Sequence, residues 1–502
     1  MPPKDAADTV PPFLTSISSS FTSSEKPVAI ILAAGQGKRI KSNHSKMLHE
    51  IWGIPTVLRV ARAATDGLDS ADQVIVVGIK AREVAEKVGR APGRIFAFQR
   101  EQKGTGHAVQ IALDALTTKD SDRDFYVFPG DMGLIDRETV RSFREAFTGS
   151  GAAMMVMVGS YSGEPEKNYY GRIIRVPEND TEGVPSGNDR GRIIQIMEFK
   201  DIHAMNPRDP YIVSFHGRFY SFHRRELIDI REYNSGLYAF QGRHLISLIR
   251  KLDFENVQRE MYLTDLIYLF NQAGLEVAGS PPRTEEALLG FNDKAVLGEM
   301  HAIARSRVWE TLSRVVSIAD KDDFFVAEDV VRHILEIDRA GKSHDIVLRE
   351  GVYVGEGVRL SEGVHVERDA RLEGSITLGK GVTIGESVRL SCLPGQHMTI
   401  GDHTRILKDD VIKGNVTIGK HCLIEAPVRL TGSDEFPVVI GDSVRIKGDS
   451  YIFGCSVADE TFIVNCILRQ ARIACRRDEA GNVLPISYIF PEPEGRECVE
   501  PL

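Results

Sequence analysis

The sequence predicts two domains of different class, a doubly wound α/β domain with a mixed, mostly parallel sheet, then a three-sided parallel β-helix. Three observations carry that prediction. From Val28 to about Glu299, short apolar runs alternate with amphipathic stretches, as in a doubly wound sheet. From Val354 to Ile452, aliphatic residues recur every six positions, a period that fits neither a 3.6-residue helix nor two-residue strand alternation. Between these regions, Asp293 to about Ala340 reads as helical, with no Gly or Pro after Gly298.

The elements follow in chain order. Residues 1–27 are rich in Ser, Thr and Pro and are expected to form a flexible tail, because they bury too little apolar surface to offset ordering entropy. The α/β domain is expected over 28–299. Its strands are predicted at Val28–Leu32, Gln73–Val77, Phe125–Phe128, Ala153–Val158 and Leu237–Phe240, with helices at Thr56–Asp66, Ala81–Val88 and Gly106–Leu116. In such a sheet, ligands sit at the carboxyl ends of the strands. A helical connector is expected over 300–345, the β-helix over 346–475 and a turn-like extension over 476–502.

The β-helix prediction rests on three runs of aliphatics. They are Val354, Leu360, Val366, Leu372, Leu378, Ile384, Leu390; then Ile400, Ile406, Ile412, Ile418, Ile424, Leu430; then Ile440, Ile446, Ile452. Each aliphatic is expected to point inward and stack on its copy in the next coil, giving about five coils by that repeat logic. The two ten-residue steps, 390 to 400 and 430 to 440, place extra residues in loops at a corner.

Composition bounds the function. Of 502 residues, 42% are apolar and 26% charged, which is globular usage. A formal net charge of −9 disfavours a polyanion-binding surface, so no nucleic-acid partner is expected. No apolar run reaches the ~18 residues of a membrane span, and no secretory signal pattern opens the chain. Six cysteines without a CxxC pair read as reduced thiols, and a cytoplasmic location is expected.

The chemistry concentrates in a few segments. Leu32, Ala33, Ala34, Gly35 and Gly37 follow the first strand, and the two glycines allow a turn whose N–H groups approach phosphates or a base edge. Lys38 and Arg39 add positive charge. This is neither a Walker loop nor a dinucleotide GxGxxG. Ser45-Lys46-Met47-Leu48 and Gly53-Ile-Pro55 come next. Gln102-Lys-Gly104-Thr105-Gly106-His107, Pro129-Gly130-Asp131, Tyr170-Gly171-Arg172, Glu198, Asn234-Ser-Gly236, Tyr262-Leu-Thr-Asp265 and Gly290-Phe-Asn292 then follow.

This ordered set resembles the sugar-phosphate nucleotidyltransferases, and within them the uridylyltransferase domain of bacterial UDP-N-acetylglucosamine pyrophosphorylases of the bifunctional N-acetylglucosamine-1-phosphate uridylyltransferase type. The resemblance runs from residue 28 to about 293. It implies a Rossmann-like sheet of the nucleotide-diphospho-sugar transferase type followed by a left-handed parallel β-helix, and a homotrimer assembled through the latter. It implies formation of a nucleotide sugar and pyrophosphate, with UTP and N-acetylglucosamine-1-phosphate as the first candidates and Mg²⁺ as cofactor. Asp131 and Asn292 would hold the metal, Lys46 would neutralise the sugar phosphate and Arg39 the triphosphate. The nucleotide would lie against Leu32, Ala33, Ala34, Gly35, Gly37, Gln102, Gly104 and Thr105, and the sugar against Gly130, Gly171, Glu198 and Asn234. His107 is expected to pack or cap rather than catalyse.

The chain departs from the family pattern at Ser45 and Gly133, where Pro is usual. It also carries insertions at 179–190 and 203–231, the second with the basic-aromatic stretch Arg218–Arg225. In the bifunctional relatives the β-helix transfers an acetyl group from coenzyme A. The Asn-Tyr-Asp loop of that chemistry is absent from this sequence, and His365, His397, His403 and His421 fall at variable repeat positions. Two alternatives stay open at this point: an active acetyltransferase half, and a non-catalytic sensor of nucleotide or nucleotide sugar.

Overall fold

The computed structural model describes residues 4–35, 37, 40–117, 120–254, 256–341, 345–425, 427–491 and 498, with side chains from residue 9 onward. The chain divides into two compact units, residues 1–301 and 302–502.

The first unit is built on a mixed sheet. Its strands lie in the order Val277–Ser280, Met154–Ser160, Glu232–Gln241, Asp124–Pro129, Val28–Ala33, Gln73–Val77, Arg94–Phe98. All neighbours pair in parallel except Glu232–Gln241, which runs antiparallel to both of its own. Val28–Ala33 and Gln73–Val77 are apolar almost throughout because helices cover both faces of a parallel sheet. One face packs Val57, Val60, Ala61, Val84, Val140 and Phe143, and the other packs Val109, Ala112, Leu245, Leu266 and Phe270.

The antiparallel strand carries a register shift between Asn234 and Tyr238, with Gly236 at φ +82°. A bulge of this kind re-aims side chains at a sheet's rim. Here it falls on the Asn-Ser-Gly segment of the sequence motif.

The N-terminal segment differs from the flexible tail expected of it. Lys4–Ile17 is helical, Leu14 is 2% exposed, and Ser19 N donates to Arg94 O on the edge strand at 2.7 Å. Ser18 Oγ accepts from Phe96 N at 3.0 Å. Thr22 N and Oγ1 donate to Asp72 Oδ1 at 2.7 and 2.8 Å, and Arg123 Nη2 donates to Asp72 Oδ2 at 2.6 Å. Hydroxyls that read as solvated in composition are thus donors to a buried carboxylate and a cover for a sheet edge.

The insertion 203–231 forms a two-stranded ribbon, Tyr211–Phe215 with Arg218–Phe222, and a short helix, Arg224–Asp229. Val213, Phe215, Tyr220 and Leu227 share a small core with Ile174, Val176, Ile194 and Ile202. The arginines of its basic-aromatic stretch are engaged internally, Arg218 with Asp180 and Arg225 with Glu166 and Asp229.

The second unit is the left-handed parallel β-helix, with three sheets of nine, eight and seven strands among the described residues. All sixteen repeat aliphatics are at most 1% exposed. They stack in register: Val354 on Leu372, Leu390, Ile412, Leu430 and Ile452 along one side, and Leu378 on Ile400, Ile418 and Ile440 along another.

The solenoid is longer at both ends than its repeat suggested. Ser317–Ile318 and Phe324–Val326, inside the expected connector, already start two of the sheets, and the helix Glu328–Arg339 takes the third side of that coil. Asp329 Oδ2 accepts from Gly357 N at 3.0 Å, so the helix closes the open end. After Ile452 the buried residues Val457, Ile463 and Leu468 continue the core at steps of five or six, which breaks the regular period. Ile486–Ser487, in the expected extension, adds a further strand.

The two ten-residue steps form loops at one corner, joined where Gln396 Nε2 and Asn415 Nδ2 both donate to Asp434 Oδ1 at 2.9 Å. The six cysteines are free. His403 and His421 stack at 5.2 Å between ring centroids, and His397 Nδ1 lies 2.9 Å from Ser375 Oγ.

Glycine follows the inward aliphatic where coils touch backbone to backbone. A Cβ at Gly401 would lie 2.6 and 2.7 Å from the carbonyl carbon and oxygen of Gly419. Gly401→Ala should therefore destabilise the second unit by roughly 1–3 kcal/mol, as overpacking does. Gly298→Ala, on a helix with open space around it, should not. Chemical denaturation of both variants checks the contrast.

Candidate active site

A cleft of about 870 Å³ opens in the first unit, lined among others by Leu32, Gly37, Lys46, Gln102, Thr105, Glu198, Asn234 and Asn292. Its floor is where the central parallel strands stop. Gly130 N donates to Leu32 O at 3.0 Å, tying the Pro-Gly-Asp turn to the end of the first strand. A Cβ at Gly130 would lie 2.8 Å from that oxygen, so the glycine is what allows the approach.

The Gly-rich turn lines the cleft through Leu32, Ala34, Gly35 and Gly37. Arg39, and Lys38 beside it, lie outside the described residues. Ser45, where the family usually has Pro, has φ −59°, within the range that a proline ring would impose. The short turn Lys46–Leu48 then directs Lys46 inward, with its side chain 9% exposed. Gly133, the other departure, packs against Ile51 and Thr56 with no room for a Cβ.

Lys46, Asp131 and Asn292 converge. Lys46 Nζ bonds to Asp131 Oδ2, lies 3.0 Å from Asn292 Oδ1 and sits 5.3 Å from the Phe291 ring centroid. Residues 85 and 246 positions away in sequence thus meet at one ammonium. A carboxylate oxygen and an amide oxygen aimed at one cation form a hard-oxygen donor pair of the kind magnesium takes, with phosphates and water completing its shell. The residues fit that ion. Among the described residues, no group of three or more His, Cys, Asp or Glu is placed to hold a metal.

The segment 102–106 is clamped on the opposite wall. Gly106 N donates to Met261 O at 2.8 Å, Met261 N to Lys103 O at 2.7 Å, and Leu263 N to Thr105 Oγ1 at 3.1 Å. Gly104 has φ +107°. Thr105 therefore uses its hydroxyl on the Leu263 backbone. Gln102 Nε2 donates to Gln99 O at 3.3 Å, and the side chain's amide oxygen is left to accept. His107 Nδ1 accepts a hydrogen bond from Gln99 Nε2 at 3.1 Å, and burial holds its pKa below the usual histidine value.

Three adjacent strands bring together Gly171, Glu198 and Asn234. Asn234 N donates to Gly171 O at 2.9 Å, and a Cβ at Gly171 would come within 3.0 Å of Glu198 Oε1. Asn234 Oδ1 accepts from Gly236 N and Tyr238 OH at 2.9 and 2.8 Å, so its NH₂ is the group left to donate. Burial, with Asp201 and Asp265 beside it, pushes the Glu198 carboxyl from 4.5 up to about 7, against the opposing effect of Arg172. Near neutral pH it can both donate and accept.

Of the expected site residues, Ala33, Gly130, Asp131 and Gly171 do not line the cleft itself; Asp131 lies behind Lys46. Sequence reasoning gave no role to Met47 and Thr264, though both lie inside quoted motifs, and passed over Gln99, Lys200, Tyr238, Gln258 and Glu260, which also line it. The Tyr-Leu-Thr-Asp pattern was the one signal pointing near Thr264.

Residues 29–246 match the family described as the MobA-like NTP transferase domain. The resemblance read from the motifs is borne out by curated relatives. The chain is 35% identical over 308 residues to the bifunctional protein GlmU of Acetivibrio thermocellus, covering 60% of this chain and 57% of that one. It is 34% identical over 284 residues to the bifunctional protein GlmU of Geobacter metallireducens, covering 56% and 51%. The chain thus spans little more than half the length of these relatives. A solved structure of UDP-glucose pyrophosphorylase complexed with UDP-glucose aligns over 56% of this chain and 99% of its own, at 12% identity and TM-score 0.40.

The Glu198 shift has a sign. A carboxyl whose folded pKa is raised contributes stability below its unfolded value, and that contribution is lost as pH rises through about 7. Glu198→Gln should therefore raise the melting temperature relative to wild type at pH 8 and make little difference at pH 4. Scanning calorimetry at the two pH values checks this.

Proposed function

We propose that the chain is a Mg²⁺-dependent nucleotidyltransferase that forms a nucleotide sugar and pyrophosphate from a nucleoside triphosphate and a sugar-1-phosphate, most suitably UTP and N-acetylglucosamine-1-phosphate. The observation that supports this is one cleft with two chemistries. A glycine-rich turn, Lys46 and Asn292 line it, with Asp131 bonded to Lys46, and Glu198 and Asn234 line it with groups that read hydroxyls, backed by Gly171.

The sugar-phosphate oxygen bonds to the α-phosphorus as the bond from that phosphorus to the bridging oxygen of pyrophosphate breaks. The nucleophile is already anionic at neutral pH, so no side chain has to remove a proton. The barrier lies in bringing two polyanions together and in charge at the transition state, which positioned cations lower. Lys46 supplies one such charge from the cleft wall. Bound at Asp131 and Asn292, magnesium would supply Lewis-acid neutralisation of phosphate oxygens. Gln102 faces the base and the 102–106 clamp holds the wall against it. Glu198 and the Asn234 NH₂ address sugar hydroxyls. The β-helix is read as a structural, trimer-forming unit, and the protein as cytoplasmic.

Incubation with UTP, MgCl₂ and a panel of sugar phosphates should release pyrophosphate most rapidly with N-acetylglucosamine-1-phosphate. No release with any sugar phosphate from a folded sample rejects the reading. Asp131→Ala should lower kcat by at least about 10²-fold, the scale of losing one charge-stabilising group, with the fold retained by circular dichroism.

A further inference from the structure

Asp131 and Asn292 offer their oxygens to a cation that the chain itself provides. Lys46 Nζ bonds to Asp131 Oδ2 and to Asn292 Oδ1, with the Phe291 ring as a third neighbour. The side chains of both Lys46 and Asp131 are largely shielded, 9% and 18% exposed. Magnesium holds its oxygen ligands at about 2.0–2.1 Å in a strict octahedron. A second cation at hydrogen-bond distance from the same two oxygens would be repelled in a poorly solvated site.

We propose that the Lys46 ammonium and a divalent ion are mutually exclusive occupants of the Asp131–Asn292 pair. Lys46 keeps the pair together and neutral until the ion binds, and its ammonium then turns to the phosphate of the incoming sugar. The exchange needs movement only of the outer methylenes. A Cβ at Gly37, which has φ +60°, would lie 2.7 Å from Lys46 Cβ, so the Gly37 turn packs directly on the base of the lysine side chain. Metal loading and capture of the sugar phosphate are then coupled through one side chain, because the group that one releases is the group the other uses. The destination of Lys46 rests on the proposed reaction; the competition at Asp131 and Asn292 does not.

Titration with Mn²⁺ alone, followed by electron paramagnetic resonance, tests the competition without turnover. Lys46→Met should bind Mn²⁺ about tenfold more tightly than wild type, a typical coupling between sites. Lys46→Gln should follow the same order should the Met variant fold poorly. Without metal, Lys46→Met should melt below wild type, and saturating Mn²⁺ should close the gap. N-acetylglucosamine-1-phosphate should tighten Mn²⁺ binding to wild type more than to Lys46→Met. Equal Mn²⁺ affinity in wild type and Lys46→Met, with binding lost in Asp131→Asn, overturns the exchange and leaves the metal site standing. Mn²⁺ binding undiminished in Asp131→Asn overturns both.

Discussion

The strand Val28–Ala33 is hydrogen-bonded along both edges to parallel neighbours, and the cleft begins where those two ladders end. Parallel strands that stop together leave a row of backbone groups and loop starts at one rim, and two motifs of the first unit start from that rim. The Gly-rich turn continues the central strand, the Pro-Gly-Asp turn continues its neighbour, and Gly130 N bonds back to Leu32 O. Were that approach lost, Asp131 would move with its turn, and Lys46 would lose its carboxylate partner. The geometry of a charged cluster thus rests on an apolar strand whose end lines the cleft.

The cleft separates two ways of handling polarity. At Lys46, opposite charges meet within a shielded group and balance one another, Lys46 against Asp131. At Glu198 the balance is left incomplete. Glu198 sits among Asp201 and Asp265 with Arg172 as the opposing cation, so desolvation keeps its proton close. The proposed reaction would use both, since phosphates need fixed positive charge and hydroxyls need groups that donate and accept.

Much of this was legible in the sequence, for physical reasons. The six-residue period survives because each aliphatic must stack on its copy, and all sixteen are buried. The motif segments read clearly because turns, glycines and charged residues are local features. What the sequence hid was long-range or irregular. The end coils step by five as well as six, so the period dissolves before the fold does. The meeting of Lys46 with Asn292 spans 246 positions, and no local pattern predicts it. Ser18, Thr22 and Phe21 read as a solvated tail because composition cannot show that Phe96 N, the Asp72 carboxylate and the Arg123 guanidinium will receive them.

That N-terminal cover has a consequence for how the chain is made. Residues 4–24 leave the ribosome early, yet the strand and carboxylate that hold them, Arg94–Phe98 and Asp72, are translated later. Until then the segment has nowhere to dock, and afterwards it covers the Arg94–Phe98 edge of the sheet. Residues 4–24 thus settle after the strand that they cover.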